Sequence, residues 1–214
     1  MEVWLERGIS RDIPLGETVR HRGGITRCDN GAMVAKIFWV MGPWPGRLGI
    51  VPRPRGAEWL DDETRAWRQA GIDVVVSLLE PGEEADLGLT GESTSSTASG
   101  LAFRAFPIPD RAVPISREAV AELASEIVDA LRSGKSVVAH CRQGIGRSVM
   151  VVAAVLIAGG LDAETAVSAV RKSRGPDVPE TRAQRQWISD FSAWLSSKRA
   201  AQRQHGIEGV SRRR

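Results

Sequence analysis

The chain has 214 residues, of which 29 are Lys or Arg and 26 are Asp or Glu, so its formal net charge is +3. This length suits one domain of ordinary size, and a hydrophobic fraction of 42% excludes a wholly disordered or fibrous protein. The two cysteines, Cys28 and Cys141, exclude a disulfide scaffold and a four-cysteine zinc site. The three histidines show no HxxxH spacing, so we expect neither a metal nor a cofactor.

The basic charge is concentrated at the carboxyl end. Residues 198–214 hold six basic residues and one acidic residue, which leaves residues 1–197 slightly acidic. We expect a solvated tail that makes weak contacts with anions, and no specific nucleic-acid partner. The amino end lacks an apolar signal segment, and the longest apolar run, 149–158, is too short to span a bilayer. These features predict a cytoplasmic protein with unpaired thiols and no membrane span.

The first third of the chain predicts an arm, a hairpin and a helix. Residues 1–32 have weak periodicity and are expected to form an arm that is poorly ordered. The apolar runs 32–41 and 47–52 are predicted to pair as a hairpin, because a Gly-Pro-Trp-Pro-Gly turn separates them. Residues 57–70 are predicted to be helical, with Gly71 ending the helix.

The middle of the chain predicts two strands, a loop and a helix. The β-branched run 72–79 is typical of a buried strand, and 101–108 alternates as a second strand does. Between them, ten of the thirteen residues in 88–100 are Ser, Thr or Gly, which predicts a flexible loop that could serve as a substrate-facing flap. The segment 115–133 is predicted to be an amphipathic helix whose apolar face begins at Ile115.

The last third predicts one short buried strand, 135–140, and three helices, 147–159, 162–173 and 179–197. Asp162 is placed to cap the second helix, and Pro179 suits the first turn of the third. Strands that alternate with helices predict one α/β domain over 33–197, with a central, mostly parallel sheet flanked by helices and a basic tail over 198–214.

The segment from Val137 to Ser148 is the most informative part of the chain. An apolar strand enters a seven-residue loop that opens directly into an apolar helix. Free backbone N–H groups converge at such a junction, and together with the helix dipole they suit an oxyanion such as phosphate. Gly144 and Gly146 permit the tight curl of the loop.

Cys141 lies at the mouth of this loop. The N–H groups, the helix dipole and a nearby guanidinium would lower the thiol pKa from about 8.5 to roughly 3.5–7.5, which makes a thiolate nucleophile. Arg147 would hold two phosphoryl oxygens during in-line attack, and Ser148 would donate a hydrogen bond to the sulfur. His140 is expected to orient the loop.

The sequence HCRQGIGRS, which begins at His140, resembles the HCxxGxxRS/T loop of Cys-dependent protein tyrosine and dual-specificity phosphatases. Its ending is most similar to the kinase-associated (cyclin-dependent kinase inhibitor 3) and Cdc14-like branch. The resemblance extends over 72–191, and more loosely back to 33, and it implies a protein tyrosine phosphatase-like fold. The expected phosphate-binding positions are Arg142, Gln143, Gly144, Ile145, Gly146 and Arg147.

A thiolate expels an alkoxide or phenoxide poorly, so a carboxylic acid must protonate the leaving oxygen and later activate water. The candidate is Asp110, which lies in Phe-Pro-Ile-Pro-Asp, 31 residues before Cys141. This segment resembles the general-acid loop of the family. Asp177 and Glu180 are the fallback donors.

A third segment, Thr-Arg-Ala-Gln-Arg-Gln-Trp, resembles the family's Thr-x-x-Gln-x-x-aromatic stretch, in which a Gln can position the hydrolytic water. That register selects Gln184, with Gln186 as a competitor and a solvent-facing helix residue as the alternative reading. Arg171 and Arg174 could add positive potential near the site, but a solvated face is favoured for both.

These residues predict a phosphomonoester hydrolase that forms a cysteinyl phosphate on Cys141 and acts on a phosphoprotein. The single positive charge at the variable loop positions, Arg142, favours a phosphopeptide over a phosphoinositide. The alternatives are a phosphoinositide phosphatase, a sulfurtransferase or arsenate-reductase type of enzyme, and an inactive phosphosite-binding module. Cys28 could capture an oxidised nucleophile as a disulfide.

Overall fold

The structure of the chain, a computed structural model, describes residues 25–27 and 33–211, with side-chain surroundings for 36–204. Cys28 and most of the predicted arm lie outside the described residues. Within the arm, β1 (Ile25–Arg27) pairs antiparallel with β2 (Met33–Ala35). Over the described residues, no helix is both long and apolar enough to cross a membrane.

A five-stranded sheet in the order β3-β4-β7-β5-β6 forms the centre of the fold. Its strands are β3 (Phe38–Val40), β4 (Arg47–Pro52), β5 (Val74–Ser77), β6 (Ala102–Ala105) and β7 (Ser136–Cys141). The pair β3–β4 is antiparallel, as the predicted hairpin requires, and all other pairs are parallel. The mostly parallel α/β sheet is therefore confirmed. The first apolar run differs from the prediction, because it divides between β2, in a separate two-stranded sheet, and β3.

Seven α-helices connect and cover the strands of the described chain. They are α1 (Leu60–Gln69), α2 (Pro81–Asp86), α3 (Glu92–Ala98), α4 (Arg117–Arg132), α5 (Arg147–Ala158), α6 (Ala163–Arg174) and α7 (Arg182–Ser211). Asp162 caps α6 as predicted, since its carboxylate accepts the N–H of Thr165 at 2.9 Å. Gly71 follows α1 with a φ of 80°, the left-handed conformation in which glycine is favoured.

The alternating side chains of β7 divide the core into two faces. Val137, Ala139 and Cys141 belong to the larger cluster, which includes the apolar residues of α4, α5 and α7. Val138 belongs to a smaller cluster around Trp67 of α1. This period of two directs neighbouring residues of the strand to opposite faces of the sheet. Cys141 and His140 are therefore buried on different sides of the same strand.

The Ser- and Thr-rich segment 88–100 is not the flexible loop that its composition predicted. Its residues 92–98 form α3, and Ser95 and Ser96 are buried. Ser95 shares a hydrogen bond of 2.9 Å with the Thr64 hydroxyl of α1 and donates to the carboxylate of Asp61 at 2.6 Å. The hydroxyl groups thus connect α1 and α3. The composition of the segment does not reveal whether its hydroxyl groups bind to other parts of the protein or to water.

Two predicted helix starts are wrong, because a hydroxyl cap lies further along the chain. Ser116 accepts the N–H of Ala119, so α4 begins after it and Ile115 remains 96% exposed. Thr181 likewise accepts the N–H of Gln184 at 3.2 Å, which excludes Pro179 from the first turn of α7. At its other end, α7 does not stop at 197 but continues to Ser211, so most of the predicted tail is helical.

Candidate active site

The loop between β7 and α5 forms one wall of a pocket of about 230 Å³. Gly144 has a φ of 71°, and a Cβ at this position would lie 3.1 Å from the Ile50 side chain, so glycine suits both its conformation and its packing. Gly146 is the N-cap residue of α5, and as a glycine it has no side chain to accept a hydrogen bond from the first turn. Eight residues predicted for the site line this pocket: Asp110, Cys141, Arg142, Gln143, Ile145, Gly146, Arg147 and Gln184.

The Cys141 thiol is buried and surrounded by hydrogen-bond donors. The N–H of Gly144 donates to Sγ at 3.3 Å, and the hydroxyl of Ser148 lies 3.5 Å from it. Burial opposes ionisation, but hydrogen bonds from Ser148 and from the backbone N–H groups of Gly144 and Gln143 lower the thiol pKa below its ordinary value. The sulfur is therefore placed to be a thiolate, as a nucleophile requires.

The Arg147 guanidinium, only 2% exposed, is held by two carboxylates. Its Nη atoms donate to both oxygens of Glu83, one of them at 2.9 Å, and Nη2 also donates to Asp110 at 2.9 Å. Burial disfavours the charged guanidinium, but Glu83, Cys141 and Asp110 together outweigh burial and raise the pKa of Arg147. The same hydrogen bond lowers the pKa of Glu83. This fork fixes the orientation of a cation inside the pocket.

Sequence reasoning missed Glu83. It lies in the first turn of α2, 64 residues before Arg147, and its carboxylate also accepts the N–H of Glu80 at 3.2 Å. The Glu80–Glu83 capping box is visible in the sequence as a helix start, but no fixed spacing connects it to the nucleophile loop.

The predicted proton donor, Asp110, follows β6 and is half-exposed at the pocket mouth. The fallback donor Glu180 lines the same pocket and lies 3.6 Å from Arg111, whereas Asp177 does not line it. Asp110 alone among these three carboxylates accepts a hydrogen bond from Arg147. The geometry therefore favours Asp110 over Glu180 and Asp177.

Gln184 is fully buried, so the alternative reading of a solvent-facing helix residue is wrong. Its amide donates to the carbonyl of Ala112 at 3.3 Å and accepts the N–H of Thr181 at 3.2 Å. These bonds hold the amide against Gly146, where a Cβ would lie 2.9 Å from it. The competitor Gln186 is bonded instead to Asp190 and does not line the pocket.

Arg174 holds the loop from outside the pocket, which corrects the solvated face favoured for it. Its guanidinium donates to the carbonyls of Gly144 at 2.9 Å and Gln143 at 3.0 Å, and it packs on the Phe38 ring. Arg171 also contacts the chain, since it donates to the Val178 carbonyl at 2.8 Å. Because Arg174 holds these two carbonyls toward the outside of the loop, it helps the adjoining N–H groups to face the pocket.

The remaining predicted residues lie at the edges of the site. Arg142 is 47% exposed and 3.8 Å from Glu83, so it is available to a ligand at the mouth. His140 is fully buried on the opposite face of β7, where it meets Glu92 rather than the pocket. Among the residues that the structure describes, no group of His, Cys, Asp or Glu is arranged to hold a metal ion.

Comparison with known proteins adds independent evidence. Residues 50–161 match the sequence model of a family described as "Tc-R-P: Polymorphic toxin system, DSP-PTPase phosphatase". The mouse protein tyrosine phosphatase domain-containing protein 1 is 30% identical over 138 residues, which are 60% of this chain and 18% of that protein. The rat cyclin-dependent kinase inhibitor 3 is 24% identical over 145 residues, 65% of this chain and 68% of that protein.

Solved structures show the same fold. A kinase associated phosphatase whose catalytic-site cysteine is replaced by serine superposes with a TM-score of 0.69 at 20% identity, covering 75% of this chain and 96% of that one. Tk-PTP in its active form is 32% identical with a TM-score of 0.57, covering 69% of this chain and 92% of that one. The chain therefore belongs to the DSP-PTPase phosphatase family and shares the fold of protein tyrosine phosphatases.

Proposed function

We propose that the protein hydrolyses phosphomonoesters through a cysteinyl-phosphate intermediate on Cys141. The observation that carries this proposal is the meeting of a hydrogen-bonded thiol, a buried guanidinium and an exposed carboxylate around one small pocket. Separate parts of the chain supply these groups, Asp110 from the turn after β6 and the other two from the ends of one loop. Such a set can stabilise the charge of a transferring phosphoryl group without a metal ion.

In the first step, the Cys141 thiolate attacks phosphorus while the bond to the leaving oxygen breaks. The loop N–H groups and Arg147 hold the phosphoryl oxygens, and Asp110 gives its proton to the leaving oxygen. For Arg147 to bind phosphate, its hydrogen bond to Asp110 must open, which frees the carboxyl group for the leaving oxygen. Glu83 keeps the guanidinium in place throughout, because it accepts hydrogen bonds from both Nη atoms.

In the second step, water attacks phosphorus and the P–S bond breaks. The Asp110 carboxylate accepts a proton from this water. The Gln184 amide, which lies beside Gly146, positions the water for attack. The Ser148 hydroxyl stabilises the departing thiolate by a hydrogen bond. The products are inorganic phosphate and the free enzyme.

A singly phosphorylated protein side chain is the substrate class that suits this pocket. Arg111, Arg142 and Arg147 line it, but Asp110 and Glu180 oppose their charge, so the mouth is not strongly cationic. A polyanionic inositol lipid would need a more positive mouth. The name of the rat relative, cyclin-dependent kinase inhibitor 3, is consistent with phosphoprotein chemistry.

We assign the catalytic unit to 33–197 and place its activity in the cytoplasm.

The test is the steady-state hydrolysis of para-nitrophenyl phosphate in EDTA, with the wild type beside Cys141→Ser. We expect metal-independent turnover in the wild type and a loss of about 10⁴-fold or more in the variant, because the hydroxyl is a far weaker nucleophile than a thiolate. Circular dichroism would establish that both proteins are folded.

A folded wild type that hydrolyses no aryl phosphate would contradict the proposal. The same samples would then be tested for persulfide formation from thiosulfate and for phosphopeptide binding without turnover. These readouts separate a sulfurtransferase from an inactive phosphosite-binding module.

A further inference from the structure

A pair of ionisable side chains is buried beneath the nucleophile loop, on the face of β7 opposite Cys141. His140 is fully buried, and Glu92, in the first turn of α3, is 1% exposed. Nε2 of His140 lies 2.8 Å from Oε1 of Glu92. The Trp67 ring lies against the imidazole, with the ring centroids 6.0 Å apart, and helps to shield the pair from water.

Burial makes the two members of the pair depend on each other. Among the described residues, neither carboxylate oxygen of Glu92 has a well-aligned hydrogen-bond donor, and Nε2 of His140 meets Oε1 as an ion-pair contact at 2.8 Å. A carboxylate removed from water is stable only beside a compensating positive charge. His140 is the group placed to supply that charge, and it can do so only in its protonated form.

The charges around the pair favour this protonated form. Burial alone would lower the pKa of His140, but the Glu92 carboxylate and, to a smaller extent, Cys141 raise it above its ordinary value. Two further charged groups, Glu84 of α2 and Arg104 of β6, line a pocket of about 410 Å³ together with Glu92. Burial and repulsion from Glu92 raise the pKa of Glu84. Glu84 is therefore less readily ionised, and it competes less with Glu92 as the negative partner of the protonated His140. Arg104 is paired with an exposed carboxylate of α4.

We propose that Glu92 is a positioning residue whose carboxylate keeps His140 positively charged, and that this charge stabilises the thiolate of Cys141. His140 directly precedes Cys141, and the thiolate and imidazolium attract each other. Glu92 comes from a different helix and meets the imidazole rather than the thiol. The inference rests on the proposed role of Cys141 as the nucleophile.

The decisive variant is Glu92→Gln. Without the carboxylate, burial is opposed only by Cys141, so the pKa of His140 falls and less of the imidazole is protonated at a given pH. Removing this positive charge raises the pKa of the Cys141 thiol, and we expect a shift of about one unit, or tenfold slower alkylation below the midpoint. The measurement is the rate of iodoacetamide modification of Cys141 against pH, read by mass spectrometry of the peptide that contains it. Glu92→Asp should restore most of the wild-type rate.

Glu63→Gln is the matched control. Glu63 is equally buried, at 1% exposure, but its carboxylate is held by Arg55. This substitution also removes a buried carboxylate and should lower stability, but it should leave the alkylation midpoint where the wild type has it. An equal shift in both variants, or no shift in a folded Glu92→Gln protein, would overturn the inference.

A second measurement applies if Glu92→Gln does not fold. The ¹⁵N spectrum of the wild-type protein reports the protonation of each ring nitrogen, and its three histidines allow assignment with His140→Asn. We expect both nitrogens of His140 to be protonated near neutral pH, whereas a neutral tautomer would contradict the inference. Alkylation and ¹⁵N shifts need no turnover. An inactive wild type would therefore count against the proposed function and leave this test intact.

Discussion

The two faces of β7 differ in how their functional groups are assembled. On the face of Cys141, one continuous loop supplies the thiol, the backbone N–H group that donates to it, and Arg147. On the face of His140, the partners come from separate helices, with Glu92 on α3 and Trp67 on α1. A short motif can thus form a pocket by itself, whereas the buried pair behind it needs residues from distant parts of the chain.

The largest effect on the loop face, after loss of the nucleophile, is expected for Asp110→Asn. An amide cannot donate a proton to the leaving oxygen, so kcat should fall by roughly 10²–10³-fold. Inorganic phosphate should bind more tightly, because the neutral side chain competes less strongly for Arg147. The measurements are kcat with phenyl phosphate and the inhibition constant of phosphate.

Asp177→Asn is the control for this change, since Asp177 does not line the pocket. An unchanged kcat in Asp110→Asn, together with a large loss in Glu180→Gln, would transfer the role of proton donor to Glu180.

Glu83→Gln tests whether Glu83, which is distant in sequence from the loop, keeps the Arg147 guanidinium in its orientation. An amide can accept only one of the two hydrogen bonds from Arg147, so the guanidinium loses its fixed orientation. We expect kcat/KM for an aryl phosphate to fall by about 100-fold, because small misplacements of a binding group carry costs of this size. Asp86→Asn, which changes an exposed carboxylate at the end of the same helix, should leave kcat/KM unchanged. Equal rates for the two variants would show that Arg147 needs no such support.

The smallest effect on the rate is expected for Ser95→Ala, on the face of His140. The substitution removes the hydroxyl that bonds both Thr64 and Asp61, so the free energy of unfolding should fall by about 1–2 kcal/mol. The value of kcat should not change, since the hydroxyl partners of Ser95 lie outside the pocket of Cys141. Urea denaturation beside assays of Ser93→Ala, which changes an exposed residue of the same helix, would check both statements. A large loss of kcat would contradict the distinction between Ser95, which we expect only to stabilise the fold, and Glu92, which we propose acts on the site.

The sequence predicts the geometry of the loop face well, because nine consecutive residues form most of it. The strand before the loop and the helix after it fix which way its N–H groups point, so the pocket around Cys141 and Arg147 follows from local rules. Asp110 and Gln184 could be proposed from their resemblance to a family. Their burial and contacts could not, since these depend on how α7 and the turn after β6 pack.

The face of His140 could not be predicted for a physical reason. Glu92 lies in a Ser- and Thr-rich segment whose composition is equally typical of a solvated loop and of helices joined by hydroxyl groups. Glu83 similarly reaches Arg147 from 64 residues away. No periodicity or spacing connects such pairs, because the topology of the sheet rather than the local chain brings them together.

The most direct test of the account is detection of the phosphorylated enzyme. Wild-type protein and Gln184→Ala are mixed with an aryl phosphate, quenched within the first turnovers, and analysed by mass spectrometry. We predict one added phosphoryl group on Cys141, with more of it in Gln184→Ala because water attacks that intermediate more slowly. Turnover without any adduct in either protein, or an adduct on a different residue, would contradict catalysis through Cys141.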